Sequence, residues 1–191
     1  MNKGEPTLDL GGIVLSGGKS TRMGKDKGFV LYEGKPLVRY SIDLLKRFTS
    51  DIIISASHDA YRELEYPVVE DEFTNCGPAA GLHAALKASS HDWNLVLSCD
   101  VPFVTDEVIF RLLNERQGNG VIPIHIGGLE PLVALYHRGM YAVFEESLRA
   151  GCLKLRKIIQ EAEMYLVPFD DIMLKNPRIF DNFNTPLDLK R

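Results

Sequence analysis

The sequence predicts a single α/β domain with a three-layer α/β/α, Rossmann-like architecture, in which helices cover both faces of a mostly parallel sheet. In the first half, short apolar runs alternate with helix-like patterns, and this alternation is typical of parallel strands joined by helices. The chain has 191 residues, of which 45% are hydrophobic and 25% charged. This length and composition suit one globular domain with one sizeable core.

The elements of the first half follow from their apolar patterns. The first strand covers Ile13 to Leu15 and ends at Gly17-Gly18. The first helix is predicted from Pro36 to Phe48, because proline suits a first turn and the apolar residues recur at helical spacing. Further strands are predicted at 52–54, 68–69 and 95–97, and further helices at 77–88 and 105–116. Thr105 is expected to cap the last of these helices.

The pattern changes near Gly118, after which apolar runs flank a Gly127-Gly128 turn and predict paired strands. The second half is predicted to contain strands at 121–126, 132–136 and 166–167, helices at 140–150 and 154–163, and a short helix opening at Pro186. We therefore expect one domain, residues 1–191, made of a first half (1–117) and a second half (118–191).

Charge and cysteine content exclude several classes of protein. The 26 acidic residues outnumber the 22 basic ones, giving a net charge of −4, which argues against a sequence-independent nucleic-acid binder. No apolar run reaches the ~20 residues that span a bilayer, and the N-terminus lacks the apolar stretch of a signal peptide. The three scattered cysteines predict reduced thiols and a cytoplasmic location rather than a disulfide framework.

A glycine-rich basic loop follows the first strand. Its glycines would let the backbone approach a phosphate closely, and its cations would neutralise a polyphosphate. The glycines are Gly17, Gly18 and Gly24, and the cations are Lys19, Arg22, Lys25 and Lys27. The spacing fits neither a Walker A loop nor a dinucleotide fingerprint. A flexible basic loop without a ligand is the alternative interpretation.

An aspartate, Asp100, follows the apolar strand at 95–97. Ligands of open parallel sheets bind beyond the carboxyl ends of strands, and a carboxylate there can hold Mg²⁺ together with substrate phosphates. The structural alternative is an aspartate that caps the turn before Pro102. Cys99 is interpreted as a small buried filler, because no histidine lies near it in sequence.

Two further polar segments are candidates for ligand contacts. Asp71, in an acidic cluster after the strand at 68–69, could accept hydrogen bonds from a purine edge or ribose, although such clusters are usually only solvated. Asn182 and Asn184 would face the same side of an extended chain. A helix cap before Pro186 is the alternative role for the two asparagines.

These residues belong to motifs that resemble a known family. The first motif reads Leu15-Ser16-Gly17-Gly18-x-x-x-Arg22-Met23-Gly24-x-Asp26-Lys27-Gly28, followed by Gly34-Lys35-Pro36-Leu37. Later motifs are Glu70-Asp71, Gly77-Pro78-x-x-Gly81-Leu82, Cys99-Asp100-Val101-Pro102, Pro131-x-x-Ala134-Leu135 and Asn182-x-Asn184-Thr185-Pro186. Over nearly the whole chain, they resemble the molybdenum cofactor guanylyltransferase (MobA) family, nucleotidyltransferases with the sugar-nucleotidyltransferase fold.

The resemblance implies an enzyme that transfers GMP from Mg-GTP to the phosphate of molybdopterin, releases pyrophosphate and forms the guanine dinucleotide cofactor. It implies a nucleotide-binding first half and a pterin-binding second half, with Mg²⁺ as cofactor. It also implies partner proteins that deliver molybdopterin or mature molybdoenzymes.

The resemblance also assigns roles to individual residues. The nucleotide would be bound by the backbone of Leu15, Ser16, Gly17 and Gly18, by Lys27 at its phosphates and by Asp71 at guanosine. Asp100 would bind Mg²⁺, Arg22 and Lys27 would stabilise the charge that develops on the phosphates, and Asn182 and Asn184 would lie on the pterin side.

Two positions depart from the family pattern. Ser16 replaces the usual alanine, and Ser55-Ala56-Ser57 stands where the family usually has an asparagine that contacts the nucleotide. Two alternative functions stay open: a cytidylyl- or sugar-phosphate nucleotidyltransferase of the same fold, and a non-catalytic nucleotide-binding module such as a phospho-acceptor domain that uses Asp100.

Overall fold

The computed structural model describes residues 9–17 and 26–183. Its centre is an eight-stranded sheet with the order β10-β7-β9-β6-β1-β4-β5, with β8 paired to β7. The strands of this sheet are β1 (Leu10–Leu15), β4 (Ile52–Ser55), β5 (Val68–Val69), β6 (Trp93–Ser98), β7 (Gly120–His125), β8 (Gly128–Leu129), β9 (Val133–His137) and β10 (Tyr165–Pro168). A small antiparallel hairpin is formed by β2 (Leu31–Tyr32) and β3 (Lys35–Pro36).

Parallel pairing dominates the half of the sheet that carries the glycine-rich loop. Strand β1 pairs in parallel with β4 on one side and β6 on the other, and β5 extends the parallel set. Strand β9 runs antiparallel to both β6 and β7. In β6, Leu95, Val96 and Leu97 are at most 1% exposed, as expected for a strand covered on both faces.

Helices cover both faces, which confirms the predicted three-layer α/β/α architecture. The helices are α1 (Leu37–Leu45), α2 (Pro78–Ala88), α3 (Asp106–Asn114), α4 (Met140–Arg149), α5 (Leu155–Glu161) and α6 (Asp170–Lys175). Buried residues of α1, α3 and α6 share one core cluster, and those of α2, α4 and α5 share the other. Because side chains alternate along a strand, Val14 packs into the first cluster and Leu15 into the second.

Several predicted boundaries were wrong, for local reasons. Helix α1 begins at Leu37 because Pro36 is still paired in the hairpin, and it ends at Leu45, before a turn. Thr105 precedes α3, but its side chain makes no capping hydrogen bond. The two-residue strands of the hairpin and the six-residue helix α6 were not predicted, since they are too short to show a clear period. The helix predicted at Pro186 lies outside the described residues.

Within the described part of the chain, none of the helices combines the length and the apolar character needed to span a bilayer.

Candidate active site

The candidate site lies where the parallel strands β1, β4, β5 and β6 end. Ser16 follows β1, Ser55 ends β4, and Asp100 lies two residues beyond β6. The backbone joins these ends: the Ser16 N–H donates to the Ser55 carbonyl at 2.9 Å, and the Cys99 N–H donates to the Leu15 carbonyl at 3.0 Å. Neighbouring parallel strands therefore bring the predicted site residues to one edge of the sheet.

Lys27 and Asp100 form an ion pair at this edge. Lys27 Nζ lies 2.5 Å from Asp100 Oδ2, and the two side chains are 18% and 15% exposed. Asp100 Oδ1 is buried, and no hydrogen-bond donor of the described residues contacts it. One oxygen of this carboxylate is thus held by an ammonium group, while the other remains available as a ligand for a cation.

Tyr61 joins the two ends of the segment that runs from Ser16 to Asp26. Its side chain is fully buried, and its hydroxyl donates to Asp26 Oδ1 and shares a hydrogen bond with Ser16 Oγ. Asp26 Oδ1 also accepts from the Gly28 N–H at 3.0 Å. Since Asp26 precedes Lys27, one buried hydroxyl ties the position of Lys27 to the end of β1.

Gly28 is required by the close packing at this junction. A Cβ at this position would lie 2.2 Å from the Tyr61 hydroxyl and 2.6 Å from Ser16 Oγ, far inside contact distance. The Tyr61 ring also packs on Phe29, with 4.7 Å between centroids. The absence of a side chain at Gly28 therefore leaves space for the hydrogen bond between the Tyr61 hydroxyl and Ser16, the residue that departs from the family pattern.

Gly81, Ser55 and Asp71 lie close together at the end of β4, where the base of a nucleotide could bind. A Cβ at Gly81, in the first turns of α2, would lie 2.8 Å from Ser55 Oγ and 3.5 Å from Asp71 Oδ1. Ser55 is buried at this point, whereas Ser57 is exposed. Loss of water around the Asp71 carboxyl raises its pKa, which nearby His83 partly offsets. The structure brings Ser55, rather than Ser57, to Asp71.

A cleft of about 390 Å³ is lined by Val101, the residue that follows Asp100. The Phe183 N–H donates to the Asp100 carbonyl at 2.9 Å, and this bond brings neighbouring Asn182 to the cleft wall. The other polar side chains of the lining are Glu130, Lys154 and Arg156. A cleft of this size is within the usual range for small-molecule sites, roughly 300–1,000 Å³.

The remaining predicted residues are placed as follows. Gly17 is exposed, and no atom of the described residues lies within 4 Å of its Cβ position, so none of them covers its backbone. Burial raises the pKa of the Cys99 thiol to about 12, which fits a buried filler rather than a nucleophile. Gly18, Arg22 and Asn184 lie outside the described residues.

Sequence reasoning missed Tyr61, Glu130, Lys154 and Arg156. Tyr61 lies in a 3₁₀ turn (Asp59–Leu64) with no motif around it. Glu130 directly precedes Pro131, the first residue of the Pro131-x-x-Ala134-Leu135 motif. A single glutamate at that position has no sequence feature that would predict a ligand contact. Lys154 and Arg156 lie at the start of α5, a helix that was predicted from the spacing of its apolar residues alone.

Comparison with known proteins is consistent with this geometry. Residues 12–165 match the family model of the MobA-like NTP transferase domain. A molybdenum cofactor guanylyltransferase of Vibrio vulnificus (strain YJ016) is 34% identical over 190 residues, covering 97% of this chain and 95% of the relative. One of Yersinia pestis (strain Pestoides F) is 32% identical over 185 residues, with coverage of 94% and 93%.

A solved structure shows the same fold. The crystal structure of molybdopterin-guanine dinucleotide biosynthesis protein A from Archaeoglobus fulgidus superposes with a TM-score of 0.78 at 27% identity, and covers 94% of this chain and 95% of that one. With a matching family model and relatives similar over nearly their whole length, the chain belongs to the MobA-like NTP transferase family and is a nucleotidyltransferase.

Proposed function

We propose that the chain transfers GMP from Mg-GTP to the phosphate of molybdopterin, forming molybdopterin guanine dinucleotide and pyrophosphate. The observation that carries this proposal is the Lys27–Asp100 ion pair, because Lys27 follows the glycine-rich segment and the residue after Asp100, Val101, lines the cleft together with Asn182. A donor nucleotide on one side and an acceptor on the other would meet at that pair. The printed names of the relatives support the choice of substrates.

The residues at the strand ends fit a divalent cation. The family to which the chain belongs generally uses such a metal, and we propose Mg²⁺ here. The buried Oδ1 of Asp100 has no donor among the described residues, as expected of a carboxylate oxygen placed for a cation. In the described ranges, no cluster of three acidic, histidine or cysteine side chains could hold an ion. This donor set suits Mg²⁺, which takes one or two carboxylates and completes its shell with substrate phosphates and water.

The reaction needs no covalent enzyme intermediate. An oxygen of the acceptor phosphate forms a bond to the α-phosphorus of GTP, and the bond from that phosphorus to the bridging oxygen breaks, so that pyrophosphate leaves with the electron pair. Because the nucleophile is already an anion, no general base is required. The protein's contribution is to position the groups and to neutralise charge.

Each side chain has a role that its position allows. Lys27 would neutralise charge on the transferred and leaving phosphates, and Asp100 would hold the cation; when bound, Mg²⁺ supplies Lewis-acid stabilisation of the phosphate oxygens. We propose that Arg22 assists Lys27. The backbone of Leu15 to Gly18 would bind the nucleotide at the end of β1.

We propose that Asp71 selects guanine. A carboxylate can accept from both the N1–H and the 2-amino group of guanine, whereas adenine offers neither donor on that edge. Ser55 Oγ lies beside the same space, and we propose that it replaces the family's asparagine as a polar contact to the nucleotide. For the acceptor, Asn182 at the cleft wall and Asn184 would contact the pterin.

A pterin-dependent pyrophosphate assay tests the proposal. With Mg²⁺ and molybdopterin, GTP is expected to yield pyrophosphate and the guanine dinucleotide, and CTP and ATP are expected to yield little. Turnover with CTP, or displacement of labelled GTP by CTP at equal concentration, would favour a cytidylyltransferase. Turnover with a sugar phosphate in place of molybdopterin would favour the sugar-phosphate alternative.

A further inference from the structure

The cleft beside Asp100 contains opposite charges that do not pair with each other. Lys154 and Arg156 line it, yet within the described ranges neither forms an ion pair. Glu130 lines the same cleft, with a side chain that is 20% exposed. Lys154 and Arg156 are exposed, so the cleft presents cationic side chains and a carboxylate that a ligand could contact at the same time.

The Glu130 carboxylate is held in place by His125. His125 Nδ1 accepts from the Gly127 N–H at 2.9 Å, so the other ring nitrogen of the neutral imidazole carries the proton. That nitrogen, Nε2, lies 2.9 Å from Glu130 Oε1 and donates to it. The imidazole is stacked on Phe180, with 5.3 Å between centroids and 5° between planes.

This arrangement leaves one oxygen of Glu130 for a ligand. Oε1 is engaged by His125, and this is the one side-chain contact that the described residues make with the carboxylate, which is 20% exposed. The histidine is only 7% exposed and is fixed by contacts on both ring nitrogens and one face. A carboxylate with restricted rotation provides a directional acceptor rather than a mobile surface charge.

The walls of the cleft suit a flat ring. Leu129, Leu132 and Leu155 line it together with the polar residues. Apolar walls with a few fixed polar groups are typical of sites for planar ligands, because the walls take the faces and the polar groups bind the edge. The cations are placed to bind an anionic group elsewhere on the same ligand.

From these contacts we infer that Glu130, positioned by His125, reads the hydrogen-bond donor edge of the acceptor's pterin ring. The inference rests on the proposed function, and it identifies a specificity-determining residue for that reaction. The pyrimidine half of a pterin carries a ring N–H and a 2-amino group side by side, which matches the two lone-pair directions of a carboxylate. Lys154 and Arg156 would attract the phosphate of the acceptor.

A comparison of pterin and lumazine probes distinguishes recognition of the 2-amino group from unspecific binding of a flat ring to the cleft. Lumazine carries a carbonyl in place of the 2-amino group, so it would turn an acceptor toward Glu130. The test measures fluorescence titrations of pterin-6-ylmethyl phosphate and its lumazine analogue, without nucleotide, against the wild-type protein. We expect the pterin probe to bind about ten- to a hundredfold more tightly, the usual effect of one charge-assisted hydrogen bond.

Variants then assign the preference to named residues. Glu130→Gln and Glu130→Ala are expected to abolish the pterin preference, and His125→Phe, which keeps the stacked ring but loses both nitrogens, to reduce it. Glu107→Gln is the control, because Glu107 lies on α3 outside this cleft and pairs with Lys175 on the surface; it should keep the wild-type ratio. Circular dichroism confirms that each variant is folded.

The outcomes distinguish the inference from the proposed function. A wild-type protein that binds both probes equally, or binds neither, overturns the inference, as does a Glu130→Gln variant that keeps the full pterin preference. The same wild-type protein is assayed for GMP transfer to molybdopterin. Absence of GMP transfer would contradict the proposed function. A pterin preference that is present in the wild type and lost in the Glu130 variants would still support recognition of the pterin ring by Glu130.

Discussion

Lys27 and Asp100 are separated by 73 residues in the sequence, and their side chains meet with 2.5 Å between Nζ and Oδ2. The pair connects the last residues of the glycine-rich segment to the end of the buried strand β6. Lys27 Nζ contacts Asp100 Oδ2, whereas Oδ1 is buried and has no donor among the described residues. The pair therefore brings the oxygen that we propose for the cation beside the ammonium group that we propose for the phosphates.

Asp100→Asn is expected to keep the fold and lose most of the activity. Asparagine has nearly the same shape, but it removes the negative charge that would hold the metal and pair with Lys27. Loss of a metal ligand costs several kcal/mol of transition-state stabilisation, which corresponds to about a hundredfold or more in turnover. The assay is pyrophosphate release at limiting and saturating Mg²⁺, with thermal unfolding as a check on folding. Near-wild-type turnover at limiting Mg²⁺ would contradict the metal role.

Lys27→Ala should weaken GTP binding roughly ten- to a hundredfold, the scale of one hydrogen bond to a charged group. Guanosine carries no phosphate, so its affinity should change little. The salt dependence of GTP affinity should also become shallower, because one cation that faces the phosphates is lost. Calorimetric titration with both ligands at several salt concentrations measures these effects.

The matched control for Lys27 is Lys46→Ala. Lys46 is an exposed lysine at the end of α1, so its loss changes the net charge equally without touching the site. If both variants bound GTP like the wild type, Lys27 would have no role in binding the phosphates.

Tyr61→Phe is expected to lower the stability of the protein and to raise the KM for GTP. Removing the hydroxyl leaves buried Ser16 Oγ and Asp26 Oδ1 each without one partner, at a cost of about 1–3 kcal/mol in unfolding free energy. Because Asp26 precedes Lys27, we also expect an increased KM for GTP, while guanosine affinity stays near that of the wild type. Denaturant unfolding and steady-state kinetics measure the two effects.

Thr49→Val provides a comparison for that variant. The Thr49 hydroxyl donates to the Leu10 carbonyl at 2.6 Å, at the first residue of β1 and therefore at the edge of the sheet opposite to the site. It should lose some stability without a change in KM. Equal KM values for Tyr61→Phe and the wild type would show that the buried hydroxyl is structural only.

Asp71→Asn is expected to weaken GTP binding and to narrow the preference for GTP over inosine triphosphate, which lacks the 2-amino group. Replacing a charged acceptor by an amide removes a charge-assisted hydrogen bond, worth roughly tenfold or more in affinity. Competition titrations with the two nucleotides at fixed Mg²⁺ give the ratio. If the ratio of the affinities for GTP and inosine triphosphate were unchanged, Asp71 would not contact the 2-amino group of guanine.

The same substitution should raise the melting temperature of the nucleotide-free protein at neutral pH. Asp71 is exposed as a residue, but partial desolvation of its carboxyl raises the pKa above its ordinary 3.8, against a smaller opposing effect of His83, so folding disfavours the ionised form. This penalty is complete above the raised pKa and absent well below 3.8. The stability gained by Asp71→Asn should therefore shrink as the pH falls through that window, and melting curves from neutral to acid pH follow it.

Local patterns were sufficient for most of the elements around the site. The continuous apolar runs in β1, β4 and β6 predicted buried strands, and the polar residues just beyond them predicted the edge that carries the site. The hairpin at residues 31–36 and helix α6 escaped prediction, since two-residue strands and a six-residue helix contain too little periodicity.

The layered α/β fold and the residue types near the end of β1 could be predicted from the sequence. Both depend on information that is local in the chain: hydrophobic periodicity, and glycines and cations placed next to a strand end. Which of these residues contact one another depends on the packing of the whole domain. In the folded chain Ser55, and not Ser57, is the neighbour of Asp71, Tyr61 lies between Ser16 and Asp26, and Glu130, Lys154 and Asn182 line one cleft. These contacts join segments far apart in sequence, and they arise from strand order and from packing against the sheet, which no short motif encodes.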